Sequence, residues 1–329
     1  MRAFVHKAKL TYVTDMPQPK LGDDEVRVQL VTAGLNRRDL YIPDRRGDVN
    51  DPLIIGSDGA GIIKELGKNV EGWDVGDEVI INPSLRWKEN TLVPPSDFDI
   101  LGMPDHGTFA EQITINADQL EKKPNNYSWE EAGVLGLAAL TAYRALFTQG
   151  QLQKGQTVFI PGGSSGVATY LIQYAVAVGA RVIVTSRSVY KREKSKEIGA
   201  HVVLDTNDDW EEKLVDETID LVIESVGAAT FQKSLDVLKL GGRIVVFGAT
   251  AGDTVELDLR SFFYGQYTLI GSTMGSREEF QSMLVFITEH NIHPVLDTMY
   301  SLERSQEAHN RLFENKHFGK IGLHISKES

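Results

Sequence analysis

The chain of 329 residues has no cysteine. That single absence removes disulfides, thiol nucleophiles, iron–sulfur clusters and every thiolate zinc site. Long hydrophobic runs are missing too: no segment approaches the roughly 18 apolar residues that span a bilayer. The opening Met1-Arg2-Ala3-Phe4-Val5-His6-Lys7 carries no signal-peptide core. These features predict no membrane association and a cytoplasmic location. Positive charge is in deficit, with 34 Lys and Arg against 46 Asp and Glu for a net −12, so a nucleic-acid backbone would be repelled and no nucleic-acid partner is expected. The eight histidines are scattered; His290 and His293 are followed by Pro294 at a helix end and read as solvated side chains rather than metal ligands. What remains, 41% hydrophobic and 24% charged residues, is the composition of a folded globular protein. At about 150 residues per domain the chain has room for roughly two.

The first stretch, to about residue 127, consists of short alternating segments such as Glu25-Val26-Arg27-Val28-Gln29-Leu30-Val31, broken by Gly and Pro, and predicts a mostly antiparallel β domain. At Ser128-Trp129-Glu130-Glu131 the texture changes. Ser128 and Glu131 have capping-box spacing, and a long helix over 132–147 is predicted. Beyond it apolar strands at 157–160, 181–185, 202–204, 219–224 and 243–247 alternate with helical stretches, which predicts right-handed βαβ units and a parallel sheet covered on both faces. After a further helix at 277–289, the tail from 293 alternates again and is expected to return to the first domain. The resulting layout is residues 1–127 with 272–329 as one domain and 128–271 as a doubly wound α/β insertion.

Between the strand at 157–160 and the next helix lies Pro161-Gly162-Gly163-Ser164-Ser165-Gly166-Val167-Ala168. Such a turn lets backbone N–H groups and a helix N-terminus receive a pyrophosphate. The same residues also spell a G-x-S-x-G nucleophile elbow, for which Ser164 with Asp220 or Asp236 and His290 or His309 would be the triad. The turn alone decides nothing. A dinucleotide fold additionally needs a ribose-reading residue about twenty positions on, at the end of the second strand. There the chain has Ser186-Arg187-Ser188 and then Lys191, a hydroxyl-and-cation set suited to a 2′-phosphate where an NAD enzyme would place an acid. The expected cofactor is therefore NADPH. The alternative for the cations is a solvated basic helix start, since Arg192, Lys194 and Lys196 follow.

Several segments, in order along nearly the whole chain, resemble the medium-chain dehydrogenase/reductase superfamily, most closely its quinone-oxidoreductase and zinc-type alcohol dehydrogenase-like branch. They include Ala33-Gly34-Leu35-Asn36-Arg37-Arg38-Asp39, Gly56-Ser57-Asp58-Gly59-Ala60-Gly61, Gly76-Asp77-Glu78-Val79, Gly107-Thr108-Phe109-Ala110-Glu111, Leu140-Thr141-Ala142-Tyr143-Arg144-Ala145-Leu146, Leu240-Gly241-Gly242-Arg243, Ile270-Gly271-Ser272-Thr273 and Phe318-Gly319-Lys320-Ile321. The resemblance implies a GroES-like β domain carrying an inserted Rossmann domain, with the active site in the cleft between them. The positions that hold catalytic zinc in the family's alcohol dehydrogenases here carry Asn36, Ser57 and Leu137, so no metal site is expected.

By family position, Asn36 and Thr141 should lie near the nicotinamide. Gly163, Ser164, Ser165, Gly166 and Val167 should face the pyrophosphate with Lys320 opposite. Val226, Gly227, Phe247, Gly248 and Ala249 should line the ribose and nicotinamide. The resemblance further implies hydride transfer to a small carbonyl, enone or quinone, with Tyr41 and Arg38 as candidates to hydrogen-bond the substrate oxygen or hold an anionic intermediate. Tyr41 could equally be a packing residue, and Arg38 the structural partner of Asp39 or Asp58. Asp58, Leu137, Phe263 and Met274 are expected around the substrate, Asp58 as an orienting residue. Family practice also implies a homodimer joined along the Rossmann sheets, for which the apolar stretch 257–267 could serve. A relative that binds NADPH in a structural or regulatory role, with little turnover, is the alternative.

Overall fold

A computed structural model describes residues 1–326. The chain divides into two compact units, Met1–Leu140 together with the chain from Gly275 onward, and Thr141–Met274. Thus the division falls inside a helix, Gly136–Tyr143, rather than ahead of Ser128.

The first unit is built on antiparallel strands. Strand β1 (Glu25–Gly34) pairs with β2 (Asp58–Leu66), with Gln112–Asn116 and with the C-terminal strand Lys320–His324. The tail is therefore hydrogen-bonded into the N-terminal sheet. Val26, Val28 and Leu30 of β1 alternate into a core with Ile63, Val79, Ile81, Ile113, Leu120, Ile321 and Leu323, the period-2 pattern visible in the sequence. The helix expected over 132–147 is interrupted. It forms as Trp129–Ala132, Gly136–Tyr143 and a π-helical turn at Arg144–Gln149. The break falls where Gly133 closes onto Thr32, whose hydroxyl donates to the Trp129 carbonyl; a side chain at residue 133 would collide with that threonine.

The second unit is a six-stranded parallel sheet. Strands β3 (Thr157–Ile160), β4 (Arg181–Thr185), β5 (Val202–Leu204), β6 (Ile219–Glu224), β7 (Leu238–Val246) and β8 (Thr268–Gly271) stand in the order β5-β4-β3-β6-β7-β8. This is the doubly wound arrangement, in which the chain reverses direction across the sheet beside β3. Phe159, Ile183, Val222 and Ile244 from four adjacent strands share a buried cluster with Trp210, Phe231 and Leu235. Helices α1 (Gly166–Ala177) and α2 (Val189–Glu197) follow β3 and β4. Among the described residues no helix is long and apolar enough to cross a membrane.

Candidate active site

The turn after β3 is shaped by two glycines. Gly162 has φ +73°, and a Cβ on Gly163 would lie 2.7 Å from Cβ of Val184 on β4. Its amides are not all open, however. Gly163 N–H donates to the Thr185 carbonyl and Ser164 N–H to the Gly162 carbonyl. Ser165 caps α1 by accepting from Ala168 N–H at 3.1 Å. The N–H groups of Ser165, Gly166 and Val167 are left without a protein acceptor among the described residues. Three convergent amides on the N-terminus of a twelve-residue helix fit a pyrophosphate. The expected contacts therefore narrow to residues 165–167, with Gly163 and Ser164 shaping the turn.

At the end of β4, Ser186 is buried while Arg187 is exposed. Of the neighbouring cations, Arg192 is committed to Asp205 and the Ser186 carbonyl, both at 2.6 Å, and Lys191 is buried at the start of α2. Arg187 makes no ion pair or side-chain hydrogen bond among the described residues. The expected hydroxyl-and-cation cluster thus reduces to Arg187 as its exposed cation. Beyond β6, Glu224, fully buried, accepts from the N–H groups of Val226 and Gly227 and the hydroxyls of Thr230 and Ser234. It thereby folds the Val226-Gly227 loop, which the loop after β7 meets through Ala251 N–H to Val226 carbonyl at 2.7 Å. Phe247, Gly248 and Ala249 lie between that contact and the end of β7. Sequence reasoning passed over Glu224, although an acid ending the apolar run Leu221-Val222-Ile223 was a visible signal.

The hydrolase arrangement is not assembled. Ser164 follows the C-terminal end of β3, whereas Asp220 sits at the start of β6 and accepts from Thr157 N–H at the opposite end of β3. Asp236 ends the helix leading into the start of β7, again on the far edge of the sheet, so no acid of the expected pair stands beside Ser164.

In the first unit, strand register gathers four predicted residues. Asp58 and Gly322 both stand opposite Gly34, and extending the same antiparallel register sets Lys320 across from Asn36. The Lys320 ammonium, 3% exposed, donates to Leu35 O at 2.8 Å, Asn36 Oδ1 at 2.6 Å and Asp58 Oδ2 at 2.9 Å. The other Asp58 oxygen accepts Leu137 N–H at 2.6 Å. Gly136 permits that approach, since a Cβ there would sit 2.7 Å from Oδ1. All three Lys320 donors are thus engaged inside this unit, which corrects the expectation that it faces a pyrophosphate.

Arg38 likewise differs from expectation. It donates to Ser57 Oγ at 2.9 Å and to the carbonyls of Leu101 and Ile100, so its hydrogen bonds tie loops together, while its charge acts on Asp39 and Asp58 without a contact ion pair to either among the described residues. Burial pulls its pKa below the ordinary value. Tyr41, 39% exposed, carries no side-chain hydrogen bond among the described residues. In the second unit Thr141 Oγ1 meets Met274 Sδ at 3.9 Å, both buried. Phe263 is exposed and packs on Tyr264.

Asn36, Ser57 and Leu137 do not suit zinc: the carboxamide oxygen is already on an ammonium, the hydroxyl is bonded to Arg38 and Leu101, and the third is an alkyl group. Among the described residues no group of three or more His, Asp or Glu could hold a metal ion.

The comparisons with known proteins converge. The alcohol dehydrogenase GroES-like domain matches residues 22–125 and the zinc-binding dehydrogenase domain residues 166–289. A zinc-type alcohol dehydrogenase-like protein of Schizosaccharomyces pombe is 34% identical over 94% of this chain and 93% of its own length. The chain belongs to the medium-chain dehydrogenase/reductase superfamily. It is an oxidoreductase of that superfamily. A crotonyl-CoA reductase of Streptomyces avermitilis is 29% identical over 96% of this chain and 82% of its own. Among solved structures, an NAD-dependent alcohol dehydrogenase superposes with TM-score 0.92 at 34% identity, covering 99% and 100% of the two chains. A mycobacterial protein complexed with NADPH does so with TM-score 0.83 at 27% identity, covering 99% and 100%.

One titrating group of the site is exposed to a direct test. Asp39 accepts the Asn36 N–H at 2.8 Å, and burial pushes its carboxyl up to about 6, with Arg38 and that N–H pulling the other way. An acid whose folded pKa lies above the unfolded value of about 3.9 holds more protons folded than unfolded in that window. Its contribution to stability therefore falls as pH rises from about 4 to about 6. Asp39→Asn removes the effect and is expected to raise stability at pH 7 by up to about 3 kcal/mol, relative to its effect near pH 4, in chemical denaturation. Equal effects at both pH values would contradict this.

Proposed function

We propose that this oxidoreductase is a zinc-independent, NADPH-dependent reductase of a small carbonyl, enone or quinone, acting as a cytoplasmic homodimer. The observation that carries the cofactor reading is Arg187, an exposed guanidinium without an ion-pair partner among the described residues, at the point where a ribose 2′-phosphate would be read, after a turn whose three open amides suit a pyrophosphate. NADPH, when bound, supplies the hydride. The chain's part is to hold, orient and protonate. Ser165, Gly166 and Val167 hold the pyrophosphate, Arg187 the 2′-phosphate, and the Val226-Gly227 loop braced by Glu224 shapes the ribose side. In conjugate reduction hydride reaches the β-carbon and a proton the α-carbon, while the carbonyl oxygen needs a donor as negative charge develops. Tyr41, whose hydroxyl is uncommitted, is the candidate proton donor; Arg38 is withdrawn from that role by its three acceptors.

Substrate reading is supported by the crotonyl-CoA reductase relative, whose named substrate is an α,β-unsaturated thioester. The dimer reading is supported by the free edge of β8, where Leu259, Phe263, Tyr264 and Leu269 are exposed. The test is NADPH oxidation against enones, enoyl thioesters, quinones and aldehydes, with and without a strong chelator, on protein sized by sedimentation. Turnover unchanged by the chelator is expected. Tight NADPH binding with no turnover on any class would favour a structural or regulatory role instead.

A further inference from the structure

The Asn36 carboxamide presents its two ends very differently. Its oxygen receives the Lys320 ammonium at 2.6 Å; because an ammonium only donates, the atom facing it must be Oδ1. The amide orientation is thereby decided by chemistry. Its other end, Nδ2, is shut off from water and has no hydrogen-bond partner among the described residues, and Asn36 as a whole is 5% exposed. Buried donors are almost always paired, so an unpaired one held in a fixed direction suits a ligand acceptor. Lys320 is itself held by Asp58, and Asp58 by Leu137 N–H. The chain of contacts ends on backbone at both sides, at Leu35 O and Leu137 N.

We propose that Lys320 and Asp58 are positioning residues for Asn36, locking its carboxamide so that Nδ2 donates to a carbonyl oxygen of a bound ligand. This rests on the reductase reading and gives the site a donor of fixed orientation. Two carbonyl oxygens have the required chemistry, that of the substrate and that of the nicotinamide carboxamide. Without Lys320 the amide could present either end to the ligand, and the donor would be in place only part of the time. With the ammonium in place the oxygen is drawn inward, and the orientation is set before the ligand arrives.

The experiment compares Asn36→Asp, Asn36→Leu and the paired change Lys320→Met with Asp58→Asn, which removes both charges together so that none is left buried alone. Thermal melting checks that each variant folds. Asn36→Asp keeps an oxygen for Lys320 but replaces the donor by an acceptor, so a merely structural Asn36 would tolerate it. Expected are losses of at least about tenfold in kcat/KM for both Asn36 variants, a similar loss for the paired variant, and no further loss when Asn36→Leu is combined with the pair. If the partner is the nicotinamide carboxamide, the Asn36 variants weaken NADPH binding by fluorescence but leave 2′,5′-ADP binding unchanged. If it is the substrate oxygen, both affinities hold and only turnover falls. Multiplying losses in the combined variant would overturn the positioning role, and so would wild-type NADPH affinity together with wild-type turnover in Asn36→Asp. A wild-type protein that binds NADPH but turns over no substrate overturns the reductase reading separately; the binding arm then decides, with unchanged NADPH affinity in Asn36→Asp counting against the inference.

Discussion

Replacing Asp58 by alanine should destabilise the first unit by about 3–5 kcal/mol, the penalty for removing one partner of a buried ion pair. The geometry puts this site at the severe end. Asp58 is 0% and Lys320 3% exposed, and no solvent can replace the lost carboxylate without opening the strand contacts around Gly34. The alanine also removes the hydrogen bond that Asp58 Oδ1 accepts from Leu137 N–H at 2.6 Å. For a unit of this size the loss corresponds to a fall in melting temperature of about 6–20 °C. The companion Lys320→Met in the Asp58→Ala background should recover most of it, because the uncompensated charge, rather than the lost attraction, dominates the penalty. A melting point within about 2 °C of wild type for Asp58→Ala would mean that Lys320 reaches water after all, and the buried-pair account would fail.

What could be read in advance follows the range of the interactions. The Rossmann unit was legible because each βα step is local: an apolar strand, a turn with Gly, a capped helix. Its strands β3 to β6 occur where alternation placed them. The cluster around Asn36 was not legible, because Lys320 is 262 residues from Asp58 in sequence and meets it only through antiparallel register on both sides of β1. Resemblance named Asn36, Asp58, Leu137 and Lys320 one by one, yet assigned Lys320 to a phosphate, since a lone lysine in a sequence does not reveal three buried acceptors. The interrupted helix failed for the same reason. Thr32, about a hundred residues upstream and on another strand, holds the carbonyl at Trp129, and no pattern within the helix itself signals that. Arg38 is a third case: a cation beside candidate site residues reads as an anion holder until the carbonyls of Ile100 and Leu101 are seen facing it.

Arg187→Ala should weaken NADPH binding about 10- to 100-fold while changing NADH affinity by less than about twofold. The magnitude follows from the contact expected: a hydrogen bond to a charged group contributes about 1.5–3 kcal/mol, and each 1.4 kcal/mol is about tenfold in affinity. The selectivity follows from position. Arg187 stands two residues past Thr185, the last residue of β4, and it is not needed to hold the fold, since it makes no ion pair among the described residues and is exposed. Arg192 cannot substitute, because Asp205 and the Ser186 carbonyl occupy it at 2.6 Å. Exposure adds a second signature, since salt screens a surface guanidinium–phosphate contact with a Debye length of about 8 Å at 0.15 M. The NADPH preference of the wild type should therefore shrink as salt rises, and that of the alanine variant should not. Titration of both proteins by intrinsic fluorescence with both nucleotides, at two salt concentrations, reads all eight affinities. The structural likeness to an NAD-dependent alcohol dehydrogenase makes the opposite outcome concrete. Equal affinities in the wild type, unchanged by the substitution, would assign the protein to NADH and return Arg187 to the solvated surface.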